Sequence, residues 1–194
     1  MPHSVLYLAS SSPRRQELLS QLGYQFKQVS PNIPEVQHHE ECAQDYVKRL
    51  AQEKAQKGLE LTHASAVVLG ADTLISFKDR VFEKPKDKQD FISMMQQLSG
   101  QTHQVLTAIA VATSSSTITQ LIQVNVRFCT LTELDIQYYW ETQEPQDKAG
   151  GYAIQGIGGN FVESIQGSYS AVVGLPLVET RNLLAQHHVR PQHL

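Results

Sequence analysis

The feature that most constrains this chain lies near its start. Val5-Leu6-Tyr7-Leu8-Ala9 is a short apolar run and reads as a buried strand. Ser10-Ser11-Ser12 then makes a turn of small side chains, and Pro13 opens a helix through Arg14, Arg15 and Gln16-Glu17-Leu18-Leu19. Proline suits the first helical position, where its missing N–H would be unpaired anyway. A strand that feeds a helix in this way commits the chain to stacking sheet against helix. It also aims free backbone N–H groups at one spot, which the helix dipole makes attractive to anions. Arg14 and Arg15 in the first turn are unfavourable there unless an anion is present. These residues alone fit a phosphate site and an ordinary strand–turn–helix with solvated arginines equally well.

At 194 residues the chain is expected to form one domain, residues 1–194, with a substantial core. Its 41% apolar and 18% charged content is that of a soluble globular protein. A net charge of −3 argues against a nucleic-acid polymer as partner. A basic cluster would then be local, as a small phosphorylated substrate requires. The run at residues 5–9 is too short for a signal-peptide core, and no run approaches a membrane span. Cys42 and Cys129 lie far apart without metal-type spacing, so reduced thiols and a cytoplasmic location are expected. His187, His188 and His193 sit in a polar tail. His38-His39-Glu40-Glu41 is read as a solvated loop before a helix in preference to a metal site.

Helices and strands interleave along the chain. Helices are expected at residues 13–22, 41–59, 87–98 and 133–141, and from Pro176 to about His187. Strands are expected at 26–29, 66–69 and 74–77, with a break at Gly70-Ala71-Asp72-Thr73, and at 81–82 and 161–165. Two long β-rich runs, 104–112 and 118–130, flank a serine-rich turn and predict an antiparallel pair. Thr132 is placed as a helix cap, with Asp135 complementing the dipole. This mixture predicts an α/β domain whose mixed, twisted sheet is flanked by helices.

Four positions carry chemistry. Asp72 lies between apolar runs, so it must meet a cation, a metal or water. Its small neighbours favour a base or a metal-facing carboxylate over a structural salt bridge. Lys54 falls on the apolar stripe of Val47, Leu50, Ala51 and Ala55; it either snorkels or reaches a phosphate. Lys84 precedes Pro85 and is held extended, which suits a fixed phosphate ligand. Glu35, between Pro34 and the long helix, reads by itself as an exposed loop carboxylate. Gly156-Ile157-Gly158-Gly159 lacks the following helix of a dinucleotide fingerprint.

An ordered set of motifs spans nearly the whole chain. It comprises Leu8-Ala9-Ser10-Ser11-Ser12-Pro13-Arg14-Arg15, Arg49-Leu50-Ala51-x-x-Lys54-Ala55, Gly70-Ala71-Asp72-Thr73 and Glu83-Lys84-Pro85. It continues with Leu98-Ser99-Gly100, Thr102-His103-x-Val105, Asp147-Lys148-Ala149-Gly150, Tyr152-x-Ile154-Gln155-Gly156 and Val172-Val173-Gly174-Leu175-Pro176. Together these resemble the Maf family of nucleoside triphosphate pyrophosphatases.

The resemblance implies cleavage between the α- and β-phosphates, a divalent metal (magnesium or manganese), and a substrate cleft in an inosine triphosphatase-like fold. It assigns Asp72 as proton acceptor, Ser10, Arg15, Lys54 and Lys84 to phosphate, and Glu35 with Asp72 to the metal. Arg14, Thr73 and Gln155 occupy the positions that separate subfamilies. They match the branch acting on dTTP and UTP, with modified pyrimidine nucleotides as further targets. The 7-methyl-GTP branch would place Trp, Gln and Glu there. A glutamine suits a uracil or thymine edge because it both donates and accepts. The alternatives are a division-arrest protein acting mainly by binding and a pyrophosphatase of the same family with 7-methyl-GTP or broad specificity; a pure binding module has no need of a near-buried Asp72. No membrane partner is implied, and a homodimer is left open.

Overall fold

A computed structural model describes residues 5–192, so His193 lies outside the described residues. The strands are β1 (Leu6–Ala9), β2 (Lys27–Val29), β3 (Val67–Phe77), β4 (Arg80–Phe82), β5 (Thr102–Ala112), β6 (Thr117–Phe128) and β7 (Val162–Gln166). The α-helices are α1 (Pro13–Gln21), α2 (Ala43–Glu60), α3 (Lys88–Leu98), α4 (Glu133–Glu141), α5 (Tyr169–Val173) and α6 (Leu177–Gln186). The strands follow the order β2-β1-β3-β5-β6-β7, with β4 paired to β3. β1 runs parallel to both β2 and β3, whereas β3–β4 and β6–β7 are antiparallel. The expected mixed sheet flanked by helices is therefore present.

The chain divides into two compact units that interleave in sequence. The first comprises the described residues up to Asp72, Thr107–Ile122, and those from Gly174 onward. Here β1 is central and fully buried, with Leu8 against Leu69 and Ala9 against Gly70 in register. α2 covers these strands with Val47, Leu50, Ala51 and Ala55, all buried. The approach is close because glycines stand at the contacts. A Cβ on Gly58 would lie 2.9 Å from Ala9 and from Val68. A Cβ on Gly70 would lie 2.6 Å from the Ala55 backbone nitrogen and would also strike the Ala51 carbonyl oxygen.

The second unit comprises Thr73–Leu106 and Gln123–Val173. Lys78 and Asp79, both at positive φ (50° and 60°), turn β3 into β4, the hand that matches strand twist. Asp87 caps α3 by accepting from the Asp90 N–H at 2.8 Å. Thr132 and Asp135 form a reciprocal capping box on α4, as expected. The core is aromatic: Phe91, Phe128, Tyr139, Tyr152 and Phe161 are buried, with Tyr139 and Phe161 edge-to-face at 5.0 Å.

Several boundaries differ from the sequence expectation. β3 runs unbroken through Gly70-Ala71-Asp72-Thr73. Gly70, Ala71 and Asp72 are poor strand formers, but β3 is paired with β1 up to Gly70, with β4 from Ile75 and with β5 as its other neighbour, and this pairing holds the backbone extended. The helix α5 and the 3₁₀ turns at Glu144–Asp147, Ala149–Gly151 and Ile157–Phe161 lie outside the sequence expectation. Each is too short to show a period. The serine-rich turn does close a hairpin, with the Thr113 N–H donating to the Ser116 carbonyl at 2.8 Å. Both cysteines are free thiols.

Two predictions follow from this packing. Gly70→Ala should destabilise by about 1–3 kcal/mol, because the added methyl meets backbone that cannot swing aside; an unchanged melting temperature would show that α2 has room to retreat. The other concerns His103, which is buried, with its Nε2 2.8 Å from the Tyr152 hydroxyl and its ring 4.9 Å from that of Phe128. Burial pushes its pKa down to about 4, against about 6.5 in an unfolded chain. The unfolded state therefore binds a proton that the folded state refuses. Stability is full above about pH 6.5 and is lost as pH falls towards 4, by on the order of 3 kcal/mol. Chemical unfolding of the wild type and His103→Phe across that range should show the wild type losing stability relative to the variant towards acid; a constant difference would contradict the buried, neutral ring.

Candidate active site

The first unit gathers six of the residues singled out in the sequence: Ser10, Arg14, Arg15, Glu35, Lys54 and Asp72. Ser10 directly follows β1 and is buried. Its hydroxyl oxygen accepts from the Ser12 N–H at 3.2 Å and from Arg15 Nη1 at 3.4 Å. Arg15, in the first turn of α1, also donates through Nε to the Gly174 carbonyl at 2.8 Å. The guanidinium is thus fixed from two directions before any substrate arrives. Arg14 is its neighbour on α1 and lowers its pKa by like charge.

Lys54 and Asp72 are the centre of this unit's site. Alternation along β3 puts Gly70 and Asp72 on one face, and Gly70 lets α2 lie directly against that face. Lys54 then reaches down the strand, and its Nζ donates to Asp72 Oδ1 at 2.6 Å. Glu35, from the loop before α2, meets the same Nζ through Oε1, also at 2.6 Å. One ammonium therefore holds two carboxylates. Asp72 is 7% and Lys54 8% exposed, so this is a buried pair, with Glu35 more open at 47% side-chain exposure. The apolar-stripe lysine does not snorkel to solvent; it faces a charge partner inside.

Burial pushes the Asp72 carboxyl above its ordinary range, and Glu35 adds to that push. Lys54 and Arg15 pull it back by their charge. The result is a carboxylate more basic than a surface aspartate, which is what proton acceptance near neutral pH requires. Burial likewise lowers the Arg15 pKa, opposed by Asp72.

Glu35 and Asp72 offer hard oxygen donors of the kind that magnesium or manganese takes. Among the described residues no group of three or more His, Cys, Asp or Glu could hold a metal ion. Two carboxylates fit an ion that keeps waters and takes its remaining ligands from substrate phosphates.

Sequence reading missed the support behind Glu35. Arg49 donates to both Glu41 oxygens, at 2.7 and 2.8 Å, to Glu53 at 3.1 Å and to the Val36 carbonyl at 2.9 Å. That fork ties the loop carrying Glu35 onto α2. Glu41, expected in a solvated loop, is only 11% exposed at its side chain, and Arg49 holds its pKa down to about 2. No local spacing marks this pair, and the Arg15–Gly174 contact joins residues 159 apart in the chain.

The second unit carries the other three. Thr73 follows Asp72 on β3 and is half-buried. Lys84 follows β4 and is exposed; its neighbour Glu83 accepts at its carbonyl from the Gly150 N–H at 2.9 Å. Gln155 is exposed, in the segment just before the Ile157–Phe161 turn.

A family model described as Maf-like protein matches residues 5–187. A dTTP/UTP pyrophosphatase of Salmonella typhimurium (strain LT2) is 54% identical over 182 residues, covering 94% of this chain and 92% of that one. One from Pseudoalteromonas translucida is 51% identical over 181 residues, covering 93% and 96%. One from Escherichia coli (strain K12) is 53% identical over 180 residues, covering 93% and 91%. Among solved structures, a nucleoside-triphosphatase/dITP/XTP pyrophosphatase of Mycobacterium abscessus overlays 63% of this chain and 73% of its own, at 15% identity and a TM-score of 0.43. With a family match over almost its whole length and relatives above half identity, this chain belongs to the Maf family.

Proposed function

We propose that this protein hydrolyses dTTP and UTP to the monophosphate and pyrophosphate. The observation that carries the reading is the buried Lys54 shared by Glu35 and Asp72, in a chain over half identical to proteins named dTTP/UTP pyrophosphatases. A binding module gains nothing from a buried, charge-coupled carboxylate, whereas hydrolysis needs one.

The chemistry follows from the side chains. Asp72 takes the proton from the attacking water, and its raised pKa lets it do so efficiently. Ser10, Arg15, Lys54 and Lys84 bind triphosphate oxygens, where negative charge spreads in the transition state. Arg15 is preset by Gly174 and Ser10, so little order is lost when phosphate binds. Glu35 and Asp72 would hold magnesium or manganese, which supplies charge neutralisation on the phosphate oxygens when bound. Arg14, Thr73 and Gln155 select the base. Modified pyrimidine triphosphates fall within the same recognition. No helix among the described residues is long and apolar enough to cross a membrane. The enzyme is cytoplasmic and takes free nucleotides rather than a nucleic-acid polymer, and a homodimer is left open.

Asp72→Asn is nearly isosteric and should keep the fold while losing about 10²–10⁴-fold in turnover. Pyrophosphate release by a folded Asp72→Asn protein at the wild-type rate would remove Asp72 from the mechanism.

The substrate assignment is checked by kcat/KM on dTTP, UTP and 7-methyl-GTP, with metal present. The wild type should strongly prefer the two pyrimidines, since a wrong base leaves polar groups unpaired at about 1–3 kcal/mol each. Combining Arg14→Trp, Thr73→Gln and Gln155→Glu should move preference towards 7-methyl-GTP, where tryptophan can stack on the cationic ring. A wild-type preference for purine triphosphates would overturn the pyrimidine assignment and leave pyrophosphate release standing.

A further inference from the structure

The glycine-rich segment around Gln155 is held at both ends by one pair of side chains. The Tyr139 hydroxyl, on α4, accepts from the Ala153 N–H at 3.0 Å and donates to Glu144 Oε1 at 2.7 Å. Glu144 Oε1 also accepts from the Gly158 N–H at 3.0 Å, and Oε2 from the Ile157 N–H at 3.1 Å. Ala153 lies two residues before Gln155, and Ile157 two after. Three backbone N–H groups that flank the glutamine thus end on a single phenol–carboxylate unit.

The glycines fit this arrangement. A Cβ on Gly156 would strike the Glu144 carboxylate, and one on Gly158 would lie 2.5 Å from the Tyr139 hydroxyl. The segment is therefore pressed against the pair with no room for a side chain between. Tyr139 is fully buried and packed edge-to-face on Phe161, so the clamp rests on rigid core.

We propose that Tyr139 and Glu144 are positioning residues for base selection, fixing the backbone from which Gln155 reads a pyrimidine edge. This rests on the reading of Gln155 given above. The chemistry explains why a clamp is needed. Uracil and thymine present an acceptor at O4 beside a donor at N3–H, and a glutamine amide meets them with its NH₂ and its oxygen. Cytosine presents the reverse pair, which the same amide satisfies once flipped. Favouring uracil and thymine over cytosine therefore requires the glutamine to be held in one pose, and that pose starts from its backbone.

The test compares kcat/KM for dTTP and dCTP, with magnesium, in the wild type, Glu144→Gln, Tyr139→Phe, Gln155→Ala and each clamp change combined with Gln155→Ala. Glu144→Gln turns one acceptor into a donor facing an N–H. Tyr139→Phe removes the hydroxyl with little change in volume, and serves if the glutamine variant fails to fold. The ratio of the two substrates is independent of how much protein is active, so simple loss of stability does not move it. Each clamp variant should lower the dTTP-to-dCTP ratio by about tenfold, and neither should lower it further once Gln155 is alanine. If Gln155→Ala collapses the ratio and the clamp variants reduce both substrates equally, the clamp is structural only and the proposal falls alone. If Gln155→Ala leaves the ratio unchanged, the reading of Gln155 fails and takes the proposal with it. Additive losses in the double variants would also overturn it, since they would place the clamp's effect somewhere other than Gln155.

Discussion

The buried ammonium of Lys54 is the interaction on which the first unit's site depends. Two carboxylates close to each other in a low-dielectric setting repel, and each resists losing its water. Lys54 makes that juxtaposition tolerable by donating to both at 2.6 Å. The contact is possible only because α2 lies directly on β3, where Gly70 offers no side chain to the Ala51 and Ala55 backbone. A missing methyl group thus sets the distance between a helix and a strand, and through it the protonation behaviour of Asp72.

The surroundings of this pair are fixed by other parts of the chain. Arg49 ties the loop behind Glu35 to α2 through Glu41, Glu53 and the Val36 carbonyl. Arg15 is held between Ser10 and the Gly174 carbonyl. Charged groups of this unit are in this way immobilised in advance, and preset charges lose less on binding a ligand than flexible ones. The second unit follows the same rule with different means. There the aromatic core anchors Tyr139, and Tyr139 with Glu144 ties down the backbone on both sides of Gln155.

Much of this was legible along the chain. The apolar run, serine turn and Pro13 gave β1 and α1 because each rests on local rules: period, small side chains and the lost proline N–H. Thr132 and Asp135 capped α4 as their spacing required. The apolar stripe of α2 placed Lys54 on the buried side, and Asp72 between two apolar runs had to meet a cation, a metal or water. What stayed hidden had no local mark. The continuity of β3 through Gly70–Thr73 comes from neighbouring strands that outweigh weak propensities. The short 3₁₀ turns carry no period to detect.

The sequence by itself determined which residues could act: a buried-side lysine, an aspartate enclosed by apolar strand, arginines at a helix start, and a glutamine among glycines. Its ordered motifs also determined the family. Only the tertiary structure decided which of these meet. It paired Lys54 with both Asp72 and Glu35, fixed Arg15 on a carbonyl 159 residues away, and drew Glu41 out of solvent onto Arg49. Periodicity and propensity describe how a residue faces its own element. A contact between elements depends on how closely backbones can approach and on which charges must share a buried space, and both are settled only when the chain is packed.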